Sequence, residues 1–143
     1  MVGFYSEYVP CGCQINHDWV LSEEDRSIFR HRILQIRKTR PIVLVQFPQD
    51  EYGEANICSA AGRASLHINA QGNVEPCPFV PVSCDSIRQG SLAAACRSSF
   101  LNSIRNKPEL LKRRQYACAL FEHLSDIEEI ARQINGSYHC HNQ

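Results

Sequence analysis

Three cysteines, Cys58, Cys77 and Cys84, lie within one short stretch of the chain and have the chemistry to bind a metal ion or a metal cluster. Thiolate sulfur is a ligand for zinc and for iron–sulfur clusters. The chain has eight cysteines in 143 residues. In a reducing compartment, so many cysteines indicate metal or redox chemistry rather than a disulfide framework. Buried free thiols are the alternative interpretation for any one of them, because cysteine also packs as a small hydrophobic residue.

A predicted β-hairpin brings two of these thiols together. Residues 65–70 alternate between apolar and polar side chains, which is the pattern of a half-buried strand. Gly72 allows a tight turn, and residues 73–75 return as a second strand. We therefore expect Cys77 to lie close to Cys58, with Cys84 one short loop later. The residues expected on the buried strand face are Leu66, Ile68 and Ala70, and His67 on the other face is expected to be structural.

The first 47 residues are predicted to form a βαβ unit. An aromatic, alternating segment at 3–9 is a predicted strand, and Ser22 is a suitable N-cap for a helix that ends before Pro41. The apolar run at 42–47 is predicted to be a strand buried on both faces, as in a parallel sheet. One βαβ unit cannot complete a sheet, so the chain is expected to be part of a larger assembly. The predicted fold class is α/β (α+β).

Shorter elements follow the cysteine stretch. The segment 118–121 is apolar and begins with Cys118. Cys96 lies in a predicted helix, where a buried structural role is the simpler interpretation. Two further cysteine motifs are weak candidates for metal binding, because a loop and a polar tail explain them as well: Cys11-Gly12-Cys13 and His139-Cys140-His141. The predicted helices cover residues 92–96, 100–106, 109–114 and 126–134.

Charge and hydropathy exclude several function classes. Fifteen basic and fifteen acidic residues cancel, so neither nucleic acid nor an anionic membrane is an expected partner. The longest apolar run is 42–45, far too short to span a bilayer. The N-terminal residues have no basic region followed by a long apolar region, so no signal peptide is predicted. We expect a cytoplasmic protein.

The cysteine stretch resembles the auxiliary-cluster domain of radical S-adenosylmethionine enzymes, in its SPASM and shorter Twitch forms. Cys58, thirteen residues, Gly72, four residues and Cys77 match the spacing C-x(9–15)-G-x4-C. The flanking segments are similar to that family in the same order, over roughly residues 50–123. They are 61–63, 66–69, 74–79, 91–92, 98–105 and 118–121.

The resemblance implies a cofactor and its ligands. It implies one [4Fe-4S] cluster in a Twitch-like domain, with Cys58, Cys77 and Cys118 as ligands and Cys84 as a less certain fourth. If Cys84 does not bind, one iron is open, and in some relatives such an iron contacts substrate. The resemblance also implies that residues 1–50 are the last βαβ unit of a partial (β/α)6 barrel. Residues 51–143 would then be the SPASM/Twitch-like domain, with a β-hairpin followed by helices.

The chain departs from that family in one decisive respect. Successive cysteines are separated by 2, 45, 19, 7, 12, 22 and 22 positions, and no part of this series contains the C-x3-C-x2-C motif that defines radical S-adenosylmethionine enzymes. We therefore expect no S-adenosylmethionine cleavage by this chain alone. Its expected partner is the missing N-terminal barrel or a separate subunit, and exposed strand edges favour self-association. The sequence does not identify a substrate.

Two alternatives belong to other function classes. Four thiolates also bind Zn2+ tetrahedrally, although structural zinc sites usually contain close C-x2-C pairs, which this chain lacks. A globular interaction domain without metal is the third interpretation. In that case the cysteines would be ordinary core residues, and replacing Cys58 or Cys77 would cost on the order of 1–3 kcal/mol of stability.

Overall fold

Helices and strands are mixed along the chain, which confirms the predicted α+β class. The structure is a computed structural model that describes residues 1–12, 15–53 and 55–135. Cys13 and the triplet at 139–141 lie outside the described residues. Within the described residues, no helix combines the length and the apolar character that a bilayer crossing requires.

The first part of the chain forms the predicted βαβ unit. Strand β1 (Val2–Ser6) pairs in parallel with β2 (Val43–Phe47), and helix α1 (Glu23–Thr39) connects them. Ser22 caps α1 as predicted, because its hydroxyl accepts a hydrogen bond from the Asp25 backbone N–H at 3.0 Å. The same hydroxyl donates to the Asp25 carboxylate at 2.7 Å, so the cap is reciprocal.

The prediction that β2 is buried on both faces is wrong. Leu44 and Gln46 are buried, at 6% and 1% exposure, whereas Val43 on the other face is 60% exposed. Helix α1 covers the face of the sheet that carries the Leu44 side chain. Arg37 of this helix donates a hydrogen bond to the Leu44 carbonyl at 2.7 Å. In the described residues this sheet has two strands, and its opposite face exposes apolar side chains from both of them.

Asp50 ties α1 to the end of β2. Its carboxylate accepts hydrogen bonds from Arg30 at 2.6 Å, from Arg37, and from the Gln46 backbone N–H at 2.7 Å. Burial acts to raise the pKa of Asp50, but the hydrogen bonds from Arg37, Gln46 and Arg30 outweigh it and lower the pKa to about 2. The carboxylate is therefore charged at neutral pH and holds the helix in place beside the strand.

A small antiparallel sheet carries the predicted hairpin. Strand β3 (His67–Ile68) pairs with β4 (Asn73–Glu75), and β4 pairs with β5 (Asp85–Ser86), a strand that the sequence did not predict. Gly72 in the hairpin turn has φ of 85°. Only glycine adopts this conformation easily, and a Cβ there would also lie 3.0 Å from the Arg88 side chain.

The predicted buried face of this hairpin is wrong for two of its three residues. Ile68 is 40% exposed and Ala70 is also exposed. The reason is a buried carboxylate, Glu75, which draws the polar face inward. It contacts the His67 ring nitrogen at 2.7 Å and accepts from the Asn69 amide at 2.7 Å. His67 is therefore structural, as predicted.

Helices complete the fold and enclose the core. Ser91 and Ser98 cap α2 and α3 with their hydroxyl oxygens. A 3-10 turn (Pro108–Leu111) replaces the third predicted helix. The helices are α2 (Leu92–Ala95), α3 (Ser99–Arg105), α4 (Ala119–Glu122) and α5 (Leu124–Asn135). The core is one cluster that contains Cys58 and Cys118, and its largest fully buried members include Phe100, Leu101, Ile104, Leu111, Leu120 and Ile127.

A buried ion pair joins three distant segments. The Arg26 Nε donates to Glu7 Oε1 at 2.5 Å, and both side chains are about 5% exposed or less. Arg26 also donates to the backbone carbonyls of Gln115 at 3.1 Å and Leu21 at 3.2 Å. The end of β1, the start of α1 and the segment before Cys118 therefore meet at one guanidinium.

We predict that Arg26→Met destabilises the protein strongly. The substitution leaves the Glu7 carboxylate buried without its cation, which should lower the free energy of unfolding by about 3–5 kcal/mol in urea titrations. The double variant Glu7→Met/Arg26→Met should lose much less, because no charge stays buried. Arg132 forms an exposed pair with Glu129, so Arg132→Met serves as the control and should cost at most about 1 kcal/mol. Equal losses for Arg26→Met and Arg132→Met would contradict this account.

Candidate metal centre

Cys58 is held by backbone bonds to two other segments. Its N–H donates to the Leu111 carbonyl at 2.9 Å, and the residue forms a β-bridge with Tyr52. Its sulfur accepts a hydrogen bond from the Ala61 N–H at 3.5 Å, at the start of the turn that follows. Cys58 is 8% exposed, so its thiol points into the core rather than into solvent.

Cys77 follows β4 and is linked to the Cys58 turn. Gly62, in that turn, has φ of 63° and donates its N–H to the Pro76 carbonyl at 2.9 Å. The Val80 N–H donates to the Cys77 carbonyl at 3.0 Å, which closes a tight loop after the cysteine. The hairpin and this link place Cys77 beside Cys58, as the sequence predicted.

Cys118 lies at the end of an ordered loop before α4. The Glu122 carboxylate organises this loop, because it accepts backbone N–H groups from Arg114, Gln115 and Tyr116 at 2.6–3.2 Å. The next N–H beyond Cys118, that of Ala119, donates to the Tyr52 hydroxyl at 2.7 Å. Cys118 is 5% exposed, and its residue is a member of the same core cluster as Cys58.

The three thiols interact with one another. A hydrogen bond from the Cys118 thiol lowers the pKa of Cys77, and the same hydrogen bond, together with burial, raises the pKa of Cys118. Burial raises the pKa of Cys58, and the charge of Cys77 raises it further. The structure therefore brings Cys58, Cys77 and Cys118 close enough to interact, from segments that are up to 60 residues apart in the sequence.

Carboxylates are the other charges that act on this group. Glu51 and Glu75 both raise the pKa of Cys77, and Glu51 also raises that of Cys58. Adjacent buried thiols cannot all ionise beside carboxylates unless a positive group compensates them. Bound iron supplies that positive charge and converts thiols to thiolate ligands. The donor set therefore fits an iron–sulfur cluster.

Cys11, which the sequence offered only as part of a weak Cys-x-Cys metal-binding candidate, lies near this group. Burial raises the pKa of its thiol, and the charge of Cys77 raises it further. Its residue packs against the core cluster that contains Cys58 and Cys118. The sequence signal was the Cys11-Gly12-Cys13 motif, which a loop after the first strand explains as well.

Cys84 contacts a different part of the molecule. Its sulfur lies 3.8 Å from the Ala131 carbonyl of α5, and burial with the neighbouring Asp85 raises its pKa to about 11. Cys96 ends α2 and is partly exposed, and its carbonyl accepts a hydrogen bond from Arg105 at 2.6 Å. The assignment of Cys84 as a fourth ligand stays a prediction.

Zinc gains no support from the geometry. Among the described residues, no three Cys, His, Asp or Glu side chains are grouped closely enough to hold a single metal ion. A tetrahedral zinc ion draws all its sulfurs to about 2.3 Å from one centre. An iron–sulfur cluster binds each thiolate through a different iron, so its ligands are spread more widely.

Comparison with known families identifies an iron–sulfur domain in this part of the chain. The family model of the SPASM domain, an iron–sulfur cluster-binding domain, matches residues 58–119. The SPASM match begins at Cys58 and ends directly after Cys118, and it includes Cys77, Cys84 and Cys96. It therefore confirms the SPASM part of the resemblance and indicates iron–sulfur cluster binding. Neither the curated proteins nor the solved structures gave a significant match.

We predict that Tyr52→Phe destabilises the loop that carries Cys118. The substitution removes the oxygen that accepts the Ala119 N–H, and Ala119 is fully buried. A buried N–H without an acceptor should lower the free energy of unfolding by about 1–3 kcal/mol, measured by urea titration. Tyr116→Phe is the matched control, because the Tyr116 hydroxyl makes no hydrogen bond within the described part of the chain. Its ring contact with Phe121 survives the change. Equal losses in the two variants would argue against the role of the Tyr52 hydroxyl.

Proposed function

We propose that this chain carries one [4Fe-4S] cluster bound by the thiolates of Cys58, Cys77 and Cys118 with a fourth ligand. The observation that carries the proposal is that the buried Cys58 and Cys118 and the partly buried Cys77 interact with one another, within the range that matches an iron–sulfur domain. Backbone hydrogen bonds at or beside each of the three cysteines hold the loops that carry them.

In this proposal the cluster is an auxiliary centre of a radical S-adenosylmethionine enzyme. When bound, it supplies an electron-transfer centre or an iron that contacts substrate. The protein contributes the ligands, a mostly buried environment and the carboxylates Glu51 and Glu75, whose negative charge favours the more oxidised form of a cluster. Because the C-x3-C-x2-C motif is absent from these 143 residues, the chain does not cleave S-adenosylmethionine by itself.

Iron and sulfide analysis after anaerobic reconstitution tests the cluster directly. We expect about four irons and four sulfides per chain with broad visible absorbance in the wild type, and a large loss of both in Cys58→Ala and Cys77→Ala. Cys96→Ala is the matched control, because the thiol of Cys96 is outside the proposed ligand set, and it should retain the wild-type iron content.

Two results would reject this proposal. Wild-type protein without iron would reject cluster binding altogether. One zinc per chain instead of iron would favour the structural zinc module. Loss of iron in Cys96→Ala as large as in Cys77→Ala would show that unfolding, rather than ligand removal, explains the variants.

We also propose that the βαβ unit continues a larger barrel, supplied by a missing segment or a separate subunit. Helix α1 covers one face of the two-stranded sheet, as the outer helices of a β/α barrel do. The other face exposes an apolar surface like the interior of such a barrel. Its most exposed members are Val2 (71%), Phe4 (64%) and Val43 (60%).

This surface should make the isolated chain self-associate. Unpaired strand edges and exposed apolar side chains favour strand pairing between copies. We expect light scattering at high protein concentration to give a mass above that of the monomer. Val43→Lys should shift the mass toward the monomer, because it places a charge in the apolar face. A monodisperse wild-type monomer at high concentration would count against the proposal.

A further inference from the structure

The segment that leads to Cys11 starts at the end of the parallel sheet, which contacts the loop of Cys77. Ser6, at the end of β1, lies opposite Phe47 in the strand register. The ring of Phe47 packs against that of Phe79 with centroids 5.5 Å apart, and Phe79 is two residues from Cys77. The short segment from β1 to Cys11 therefore leaves the sheet beside the loop that contains Cys77.

The same segment is fixed against the loop that contains Cys118. Val9 is 4% exposed and belongs to the core cluster with Cys118, and Pro10 is fully buried. The Arg26 guanidinium joins Glu7 to the Gln115 carbonyl, three residues before Cys118. The Cys11 N–H donates to the Val9 carbonyl at 2.8 Å, so the turn into Cys11 is closed by a hydrogen bond.

Two sets of contacts thus hold the segment that leads to Cys11 beside the loops of the other cysteines. One set runs through aromatic rings to the loop of Cys77, and the other runs through a buried ion pair to the loop of Cys118. Cys11 itself packs against the core cluster that contains Cys58 and Cys118. Cys84, by contrast, contacts the Ala131 carbonyl on α5 and neighbours residues of β5 and α2. Of Cys11 and Cys84, Cys11 is the one on which the charge of Cys77 acts, and it lies in the βαβ unit.

We propose that Cys11 is the fourth thiolate ligand of the cluster. This inference rests on the proposed cluster and assigns its last ligand to a residue outside the SPASM match. With four cysteine ligands, every iron of a [4Fe-4S] cluster is coordinated by protein, and none is open to substrate. The cluster would then transfer electrons rather than bind substrate, and it would link the βαβ unit to the SPASM segment.

Selective loss of one iron tests the assignment. Ferricyanide removes one electron from [4Fe-4S]2+ to give [4Fe-4S]3+, which releases Fe2+ and leaves [3Fe-4S]+. The iron without a thiolate is the one most easily released. At an oxidant dose that leaves the wild type intact, Cys11→Ala should fall from about four irons to about three and show the EPR signal of a [3Fe-4S]+ cluster.

Two matched variants complete this experiment. Cys84→Ala and Cys13→Ala should keep about four irons under the same oxidant dose. The double variant Cys11→Ala/Cys13→Ala covers the case in which Cys13 replaces Cys11 as a ligand, and it should behave as Cys11→Ala does or lose iron more readily. Selective iron loss in Cys84→Ala or Cys13→Ala, with Cys11→Ala like the wild type, would overturn the assignment.

A measurement on the unmodified protein tests the same assignment without depending on whether the variants fold. Cyanide binds an iron that has an open position and changes the EPR spectrum of the reduced cluster. We expect the wild-type spectrum to be unchanged by cyanide, and a cyanide adduct would overturn the inference. Wild-type protein with no iron at all would instead reject the proposed cluster, so the two failures are distinguishable.

Discussion

The buried ion pair between Arg26 and Glu7 is the contact on which the candidate site depends. One guanidinium binds a carboxylate at the end of β1 and a carbonyl in the loop before Cys118, and it projects from the helix between the two strands. Its removal would release both segments at once. A buried charge pair is seldom retained for stability alone, because apolar residues of the same volume often stabilise as well. Here it also connects the end of β1, helix α1 and the loop before Cys118.

The meeting of those loops places several thiols where few of them can ionise without a compensating positive charge. Thiols that are buried together raise one another's pKa, and the nearby carboxylates raise these values further. Only one of the group has a lowered pKa, Cys77, because Cys118 donates a hydrogen bond to it. Neutral thiols can pack here as small hydrophobic groups. In the proposed ligand set, bound iron would supply the positive charge that converts them to thiolates.

Local signals predicted the elements well, and long-range contacts limited the prediction of the site. Ser22, Ser91 and Ser98 mark helix starts through their own hydroxyl groups, and Gly72 marks the hairpin turn, so the sequence around them was sufficient. The hairpin also predicted that Cys77 lies near Cys58. Cys118 could be assigned only by resemblance, because no local pattern connects it to Cys58 across the intervening helices.

Other features required the folded chain. Glu75 is buried, and the polar side chains of His67 and Asn69 turn toward it. The alternation of apolar and polar residues in the sequence does not predict this orientation. The segment that leads to Cys11 is placed near the other cysteine loops by the burial of Pro10, by the contact between Phe47 and Phe79, and by the Arg26 ion pair. These contacts involve separate segments of the chain. The exposure of β2 depends on which strands and helices are its neighbours. The prediction from the apolar run at 42–47 therefore overstated the burial of this strand.

The most direct test of the central claim is an anomalous difference map at the iron absorption edge, from crystals of the anaerobically reconstituted protein. The account predicts one compact group of iron peaks bounded by the sulfur atoms of Cys58, Cys77 and Cys118. Three results would contradict the account. They are iron density elsewhere, a single zinc peak at this position, and no metal at all in protein that was supplied with iron and sulfide.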